Sequence, residues 1–280
     1  MDVSIIIPNF NTKKLVLDCV ASIKKSRPKS SFEIIVIDNA STDGSVKALK
    51  NNFHKDTIVI ENKENLGFSK ACNLGIKKAG GKYKLILNSD TLVKEGAIDL
   101  LLDFAESNPD EGVIGSQLLN KDGSVQASCF RFPTLIRTIE QFWLGHKNIL
   151  DKYAPSGENP QVVDAVVGAS FLITPKALEK IGFFDERYFM YYEDLDYCRR
   201  VWKNGLKVFY LPNSRVIHYH GESGKNIADG QNQWRRLITS SKIYHGLVNH
   251  SAITFIIWTT TKLQKIVRFL KGKDWYNVRN

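Results

Sequence analysis

The feature that most restricts this 280-residue chain is a series of short apolar runs, each closing on a polar cluster. Val3-Ser4-Ile5-Ile6-Ile7-Pro8 is apolar on both alternations, and a strand with two apolar faces belongs in a parallel sheet covered on each side. Phe32–Ile37 repeats the pattern and ends in Asp38-Asn39-Ala40-Ser41-Thr42-Asp43-Gly44. Thr57–Ile60 leads into Asn65-Leu66-Gly67-Phe68-Ser69, and Tyr83–Leu87 ends in Asn88-Ser89-Asp90. Between the first two runs, Leu15, Val16, Cys19, Val20 and Ile23 form a stripe at helical spacing, with Thr12 placed to cap it. A further helix runs to Lys78. Strand and helix alternate, which predicts an α/β fold with an open, mostly parallel, Rossmann-like sheet flanked by helices. Ligands of such sheets gather at the strand C-termini, where the polar clusters lie.

The second half is less regular. A helix is expected over 94–107, a strand over 112–115, and a hairpin over 118–132 turning at Asp122-Gly123. The aromatic segment 133–160 reads equally as a flap or satellite helix and as part of a second binding side. Residues 162–171 re-enter the core, and Lys207–Leu211 and Arg215–Ile217 are later strands. Between them, Asp185, Glu193, Asp194 and Asp196 crowd an aromatic stretch, Phe183 to Tyr197. Leu195, Cys198, Val201 and Trp202 fall on one helical face and Gly205 supplies the stop, so Glu193 and Asp194 sit at a helix mouth. An acidic first turn can simply cap a helix through the free N–H groups and the macrodipole. A carboxylate beside an aromatic wall also suits a general base. Alternation places His218 and His220 on one face of an extended segment, either as a wet strand edge or as metal or phosphate ligands.

Charge separates the body from the tail. The net charge is +10, yet residues 231–280 hold nine Lys or Arg against one acid, Asp274, and so supply +8 of it. A nucleic-acid footprint would spread over a folded reading face; none is expected. The tail instead interleaves its charge with Ile253, Phe255, Ile256, Ile257, Trp258, Ile266 and Phe269, which predicts basic amphipathic helices lying on an anionic membrane surface. Packing onto the body or against a homodimer partner is the other reading. The apolar stretch 252–258 is too short to span a bilayer. Cys19, Cys72, Cys129 and Cys198 lack close pairing or metal-ligand spacing, as expected of reduced core thiols in a cytosolic protein without a signal peptide. No GxGxxG follows the first strand and no GxxxxGK[ST] occurs, which argues against a dinucleotide oxidoreductase or P-loop NTPase.

In this order the motifs resemble inverting family 2 glycosyltransferases of the GT-A fold, and their rhamnosyltransferase-like branch in particular, over roughly Val3 to Ser223. The resemblance implies a nucleotide-sugar half over 1–115, an acceptor half over 116–225 and a separate basic tail over 226–280. It places Pro8 and Phe10 beside the nucleotide base, Asp38 and Asn39 at the base edge, and Asn65 and Gly67 near ribose and phosphate. Asn39 stands where the family often has a second acid. Asn88-Ser89-Asp90 stands for the metal-binding DXD motif with only its last acid, so Asp90 is the implied ligand of Mg²⁺ or Mn²⁺, with His218 approaching it. On the acceptor side the resemblance makes Asp194 the base, with Glu193, Asp196 and Tyr192 around it.

The implied activity is transfer, with inversion, of a sugar such as rhamnose from a dTDP-, UDP- or GDP-linked donor. The acceptor is a hydroxyl of a glycan or lipid-linked glycan in cell-surface polysaccharide synthesis, and the enzyme is expected to be cytoplasmic, peripheral on the inner face of the membrane. A sugar nucleotidyltransferase would need a Gly-rich, Arg- and Lys-bearing loop after the first strand, which is missing. A non-catalytic carbohydrate-binding protein would need no pairing of Asp90 with Asp194.

Overall fold

A computed structural model describes residues 1–53, 57–108, 110–219 and 230–270; His220, Lys271, Lys273 and Arg279 lie outside the described residues. The apolar runs form β1 (Val3–Asn9), β2 (Phe32–Asp38), β3 (Thr57–Glu61) and β4 (Tyr83–Leu87), parallel in the order β3-β2-β1-β4. Both faces are buried. Ile6, Ile35 and Ile37 point into one core, while Ile5, Ile7, Ile34 and Val36 point into the other. Helices α1 (Lys13–Lys25), α2 (Ser45–Phe53) and α3 (Phe68–Lys78) connect these strands. Fully burying one such aliphatic side chain contributes about 1.5–3 kcal/mol, so this double-sided sheet is the main source of stability.

The second half continues the same sheet. Its elements are β5 (Thr91–Val93), α4 (Ala97–Ser107), β6 (Glu111–Leu119), β7 (Cys129–Phe130), α5 (Leu135–Phe142), β8 (Gln161–Val162) and β9 (Ala165–Val166). They are followed by β10 (Ser170–Ile173), α6 (Pro175–Ile181), α7 (Glu193–Lys203) and β11 (Lys207–His218). Beyond β4 the order is β10-β6-β11-β5, with β8 also on β11. Strand β10 is antiparallel to both β4 and β6, and β11 returns parallel to β6. The fold is α/β with a mostly parallel central sheet.

Several local expectations are corrected. The helix expected from residue 94 starts at Ala97, behind Gly96 at φ 72°, because Thr91–Val93 pairs with β11 instead. The two late strands are one, β11, irregular between Leu211 and Arg215. The hairpin shrinks to a turn, with Gly123 N–H donating to Asn120 O and a single bridge from Leu119 to Val125; Cys129–Phe130 leaves to pair with β9. Thr12 occupies the N-cap position of α1 but donates its hydroxyl to Asn9 Oδ1 (2.6 Å). Asp43 accepts from Lys13 N (2.7 Å) and Ser45 N (3.0 Å), serving the starts of α1 and α2 together.

The tail forms α8 (Gly230–Leu270), interrupted at Gly246, whose φ of 74° and ψ of 163° only glycine adopts readily. Before the break, Tyr244 is buried in the main core and Ser240 donates to Met190 O (2.9 Å). After it, Thr260 donates to Phe142 O and Trp143 Nε1 to Thr259 Oγ1, both at 3.2 Å, joining α8 to α5. Packing onto the body therefore accounts for part of the tail. No helix among the described residues is long and apolar enough to cross a membrane.

Candidate active site

The first four strands deliver their polar ends to one place, where those ends bind one another. Asn9 Nδ2 donates to Asp38 Oδ2 (2.7 Å) and Ser41 N donates to Asp38 Oδ1 (2.8 Å). The Thr12 hydroxyl, besides its bond to Asn9, lies 2.9 Å from Ser89 Oγ. Asn39 donates to Gly67 O (3.2 Å) and accepts from Asn62 Nδ2 (2.8 Å), while Asn65 Oδ1 accepts from Gly67 N (3.0 Å). Asp38, Asn39 and Ser89 are buried and tied to one another through this network, while Pro8 and Phe10 are half-buried along the same exit. Gly67 is needed: its φ is 83°, and a Cβ there would stand 2.5 Å from Phe189 O.

Pairing of β5 with β11 sets His218 opposite Thr91 and so beside Asp90. His218 Nε2 is 3.4 Å from Asp90 Oδ1 and 3.4 Å from Asn88 Nδ2. On the other side of the ring, Nδ1 lies 2.8 Å from Gln126 Oε1. Gln126 spends its amide N–H groups on His218 O (3.1 Å) and Asn120 Oδ1 (2.9 Å), so its oxygen accepts and Nδ1 carries the proton. That tautomer leaves Nε2 an acceptor, set between the Asn88 amide and the Asp90 carboxylate. A buried carboxylate and imidazole, leaving further positions for phosphate oxygens and water, fit Mg²⁺ or Mn²⁺. The described residues contain no cluster of three or more ligating side chains.

The carboxylates of α7 are buried at its N-terminus. Tyr191 and Tyr192 both take φ of 70°, a left-handed conformation costly for bulky residues, and so turn the chain sharply into the helix. Asp194 Oδ2 accepts from Gly168 N (3.1 Å) and Oδ1 from Leu195 N (2.8 Å). Burial raises the pKa of Asp194, while those two N–H groups and nearby Lys152 oppose the rise. Glu193 is pushed well above the usual carboxylate range by burial and then by Asp194, and its Oε2 makes no hydrogen bond. Both carboxyls are thus raised, Glu193 the more strongly, while the two N–H groups on Asp194 favour its ionised form. Asp196 is occupied by Arg200 Nε (2.8 Å) and Arg199 Nη2 (3.4 Å), and the Tyr192 ring lies 5.2 Å from the ring of Tyr244.

One short segment joins the two sides. Asn88 N–H donates to Ala169 O (3.1 Å), and the preceding residue, Gly168, binds Asp194. Phe68 N–H donates to Phe189 O (2.7 Å), and the Phe68 ring lies 3.5 Å from where a Gly168 Cβ would be. Sequence reasoning passed over Gln126, Lys152 and Tyr244. Each sits in a segment without strong periodicity, and only tertiary pairing brings it to the site.

The Glycosyl transferase family 2 model matches residues 4–181. The N-acetylglucosaminyl-diphospho-decaprenol L-rhamnosyltransferase of Mycobacterium tuberculosis is 31% identical over 222 residues, which cover 72% of this chain and 70% of that protein. Rhamnosyltransferase WbbL of Escherichia coli K12 is 25% identical over 236 residues, covering 72% and 88%. The crystal structure of GalNAc-T7 with UDP, GalNAc and Mn²⁺ superposes with a TM-score of 0.60 at 18% identity, over 78% of this chain and 44% of that one. This last likeness is one of fold.

Proposed function

Because this chain belongs to glycosyl transferase family 2, and is a glycosyltransferase using a nucleotide sugar, we propose that it inverts the anomeric carbon in a single displacement. The donor is a nucleoside-diphosphate sugar of rhamnose type, and the acceptor is a hydroxyl of a lipid-linked glycan. The observation that carries this reading is the double docking on residues 168–169: the Asn88-Ser89-Asp90 motif binds Ala169, and Asp194 binds Gly168. A leaving diphosphate near Asp90 and a base at Asp194 then flank one small space.

In this reading the polar network of Asn9, Asp38, Asn39 and Asn65 forms the wall for base and ribose. Asp90 and His218 would hold Mg²⁺ or Mn²⁺, which when bound neutralises charge building on the leaving diphosphate. Asp194 accepts the proton of the attacking hydroxyl, and a displacement of this kind requires no second carboxylate as nucleophile. Glu193, buried beside the base, and Asp196, held by two arginines, fix the helix that aims it. The test is a panel of dTDP-, UDP- and GDP-sugars scored for release of free nucleoside diphosphate and for the anomeric configuration of the product. Retention of configuration, or no release from any donor, overturns the reading.

The tail supports a peripheral position on the inner membrane face. Trp258, Leu263, Ile266 and Val267 of α8 are exposed, as are Ile136, Trp143 and Leu144 in and beside α5. Lys262 and Lys265 are exposed among them, and each such charge near an anionic leaflet contributes about 1 kcal/mol. Cosedimentation with anionic vesicles at low salt, weakening as salt rises, is the expected result. A protein that ignores such vesicles leaves this face to a homodimer partner.

A further inference from the structure

Before its break at Gly246, α8 meets the body along a stripe. Arg236, Ser240 and Tyr244 stand four residues apart and so share one face of the helix. Each touches the chain that leads into α7. The Arg236 guanidinium lies 4.3 Å from the centre of the Phe189 ring, Ser240 Oγ donates to Met190 O (2.9 Å), and the Tyr244 ring lies 5.2 Å from that of Tyr192. Successive turns of α8 thus hold successive points of residues 189–192. Of these three contacts, the one from Ser240 is a hydrogen bond to the backbone. Ser240 is 3% exposed, and its bond leaves the helix. Thr239, Ser251 and Thr261 instead donate back to carbonyls of α8 itself, Arg235 O, Leu247 O and Ile257 O.

What the stripe holds is strained. Tyr191 and Tyr192 both have φ of 70°, which bulky residues keep only where their surroundings enforce it. The φ of Tyr191 is set by where the Met190 carbonyl stands, so a bond that fixes Met190 O acts directly on the first strained torsion. After the second, Tyr192 O accepts from Asp196 N (2.8 Å) as α7 opens, and Asp194 lies two residues past Tyr192. At the other end of the elbow, Phe189 O accepts from Phe68 N (2.7 Å), beside the Gly67 turn. Both ends are therefore tied to other elements, and Ser240 acts on the torsion between them.

We propose that Ser240 is a positioning residue: its bond to Met190 O holds the left-handed tyrosines in place and so aims Asp194 at the acceptor hydroxyl. The assignment rests on Asp194 as the base, proposed above, and adds the part of the tail on which its aim depends. A misplacement of about 1 Å at a reacting group lowers a rate on the order of 10²-fold. One neutral hydrogen bond, by contrast, is a small share of the stability of a whole chain. Loss of the bond is thus felt in turnover before it is felt in folding.

The experiment uses the full chain. Ser240→Ala should lower kcat on the order of tenfold and leave KM for the nucleotide sugar within about twofold of wild type. Its melting midpoint should fall by no more than about 4 °C. Amide exchange read by mass spectrometry should rise in peptides covering residues 189–197 and stay unchanged in those covering β1 to β4. In a Tyr191→Asn background the bond is no longer needed, because asparagine accepts a left-handed φ. Adding Ser240→Ala there should change kcat by less than about twofold. Wild-type kcat in Ser240→Ala overturns the proposal. So does an equal loss in both backgrounds, or exchange raised throughout the chain, since either makes the bond a general support of the fold. Exchange rising at 189–197 in a protein that transfers sugar from no donor would sink the proposed function while leaving Ser240 as the residue that holds the elbow.

Discussion

The two sides of the site are built by different means. On the donor side each polar residue follows directly on a buried strand, and its partner is the end of a neighbouring strand: Asn9 with Asp38, Thr12 with Ser89. The sheet sets their spacing, and the hydrogen bonds among them hold it. On the acceptor side, the helix bearing Asp194 is approached through two tyrosines in left-handed conformation, and its neighbours come from far along the chain. Gly168 lies 26 residues before Asp194, while Arg199 packs its guanidinium 3.8 Å from the Tyr244 ring centre and donates to Tyr244 O. The difference teaches that the proposed donor side is insured by the core, whereas the proposed acceptor side leans on the docked tail through Arg199 and Tyr244.

The sharpest division between the sides is chemical. Asp194→Asn should lower turnover on the order of 10²-fold or more while donor affinity, measured by calorimetry, stays near wild type, because the base is lost with little change of volume. Wild-type turnover in that variant would remove Asp194 from the reaction. Asp90→Ala should do the reverse, abolishing the gain in nucleotide affinity on adding Mg²⁺ or Mn²⁺. If His218→Ala leaves that gain intact while Asp90→Ala removes it, the pair at 3.4 Å is not a shared metal site.

Gly67→Ala attacks the seam between the sides. The left-handed φ costs an alanine about 1–2 kcal/mol, and Phe189 O and its ring must move away from the new methyl group. We expect lower thermal stability together with loss of both donor and acceptor affinity. Tyr244→Ala tests the tail's share of the acceptor side. It should cost about 3–5 kcal/mol as a buried aromatic truncation and raise the acceptor KM more than the donor KM. Equal effects on both would break the comparison.

The smallest effect concerns Glu193, which faces Asp194, Cys72 and Tyr191. Its pKa is raised in the folded protein, so the native state keeps a proton that the unfolded chain releases. Stability therefore falls as pH rises from the ordinary carboxylate range through the raised value. Glu193→Gln has no such proton to lose, so thermal melts should show it gaining on wild type with rising pH. For turnover the sign is opposite: Asp194 must be ionised, so activity rises with pH through its own raised pKa.

The chain itself determined where the first four strands gather their polar ends, the proposed donor side. Runs such as Val3–Pro8 and Phe32–Ile37 have no stable place but the middle of a covered sheet, and a parallel sheet gathers its strand ends at one edge. Asp38, Asn65 and Asp90 were legible because each stands just past such a run. Asp194 was legible as a carboxylate at a helix mouth, because the apolar period of Leu195, Cys198 and Val201 marks the helix. Tertiary structure alone decided the partners. That Gln126 fixes the tautomer of His218, that Gly168 binds Asp194, and that Tyr244 covers Tyr192 all follow from pairings across 26 to 92 residues. Local periodicity records which face of an element is apolar, but not which distant element will cover it. A polar side chain in an irregular loop has no period at all, so its role appears only when the loop is folded against its neighbours.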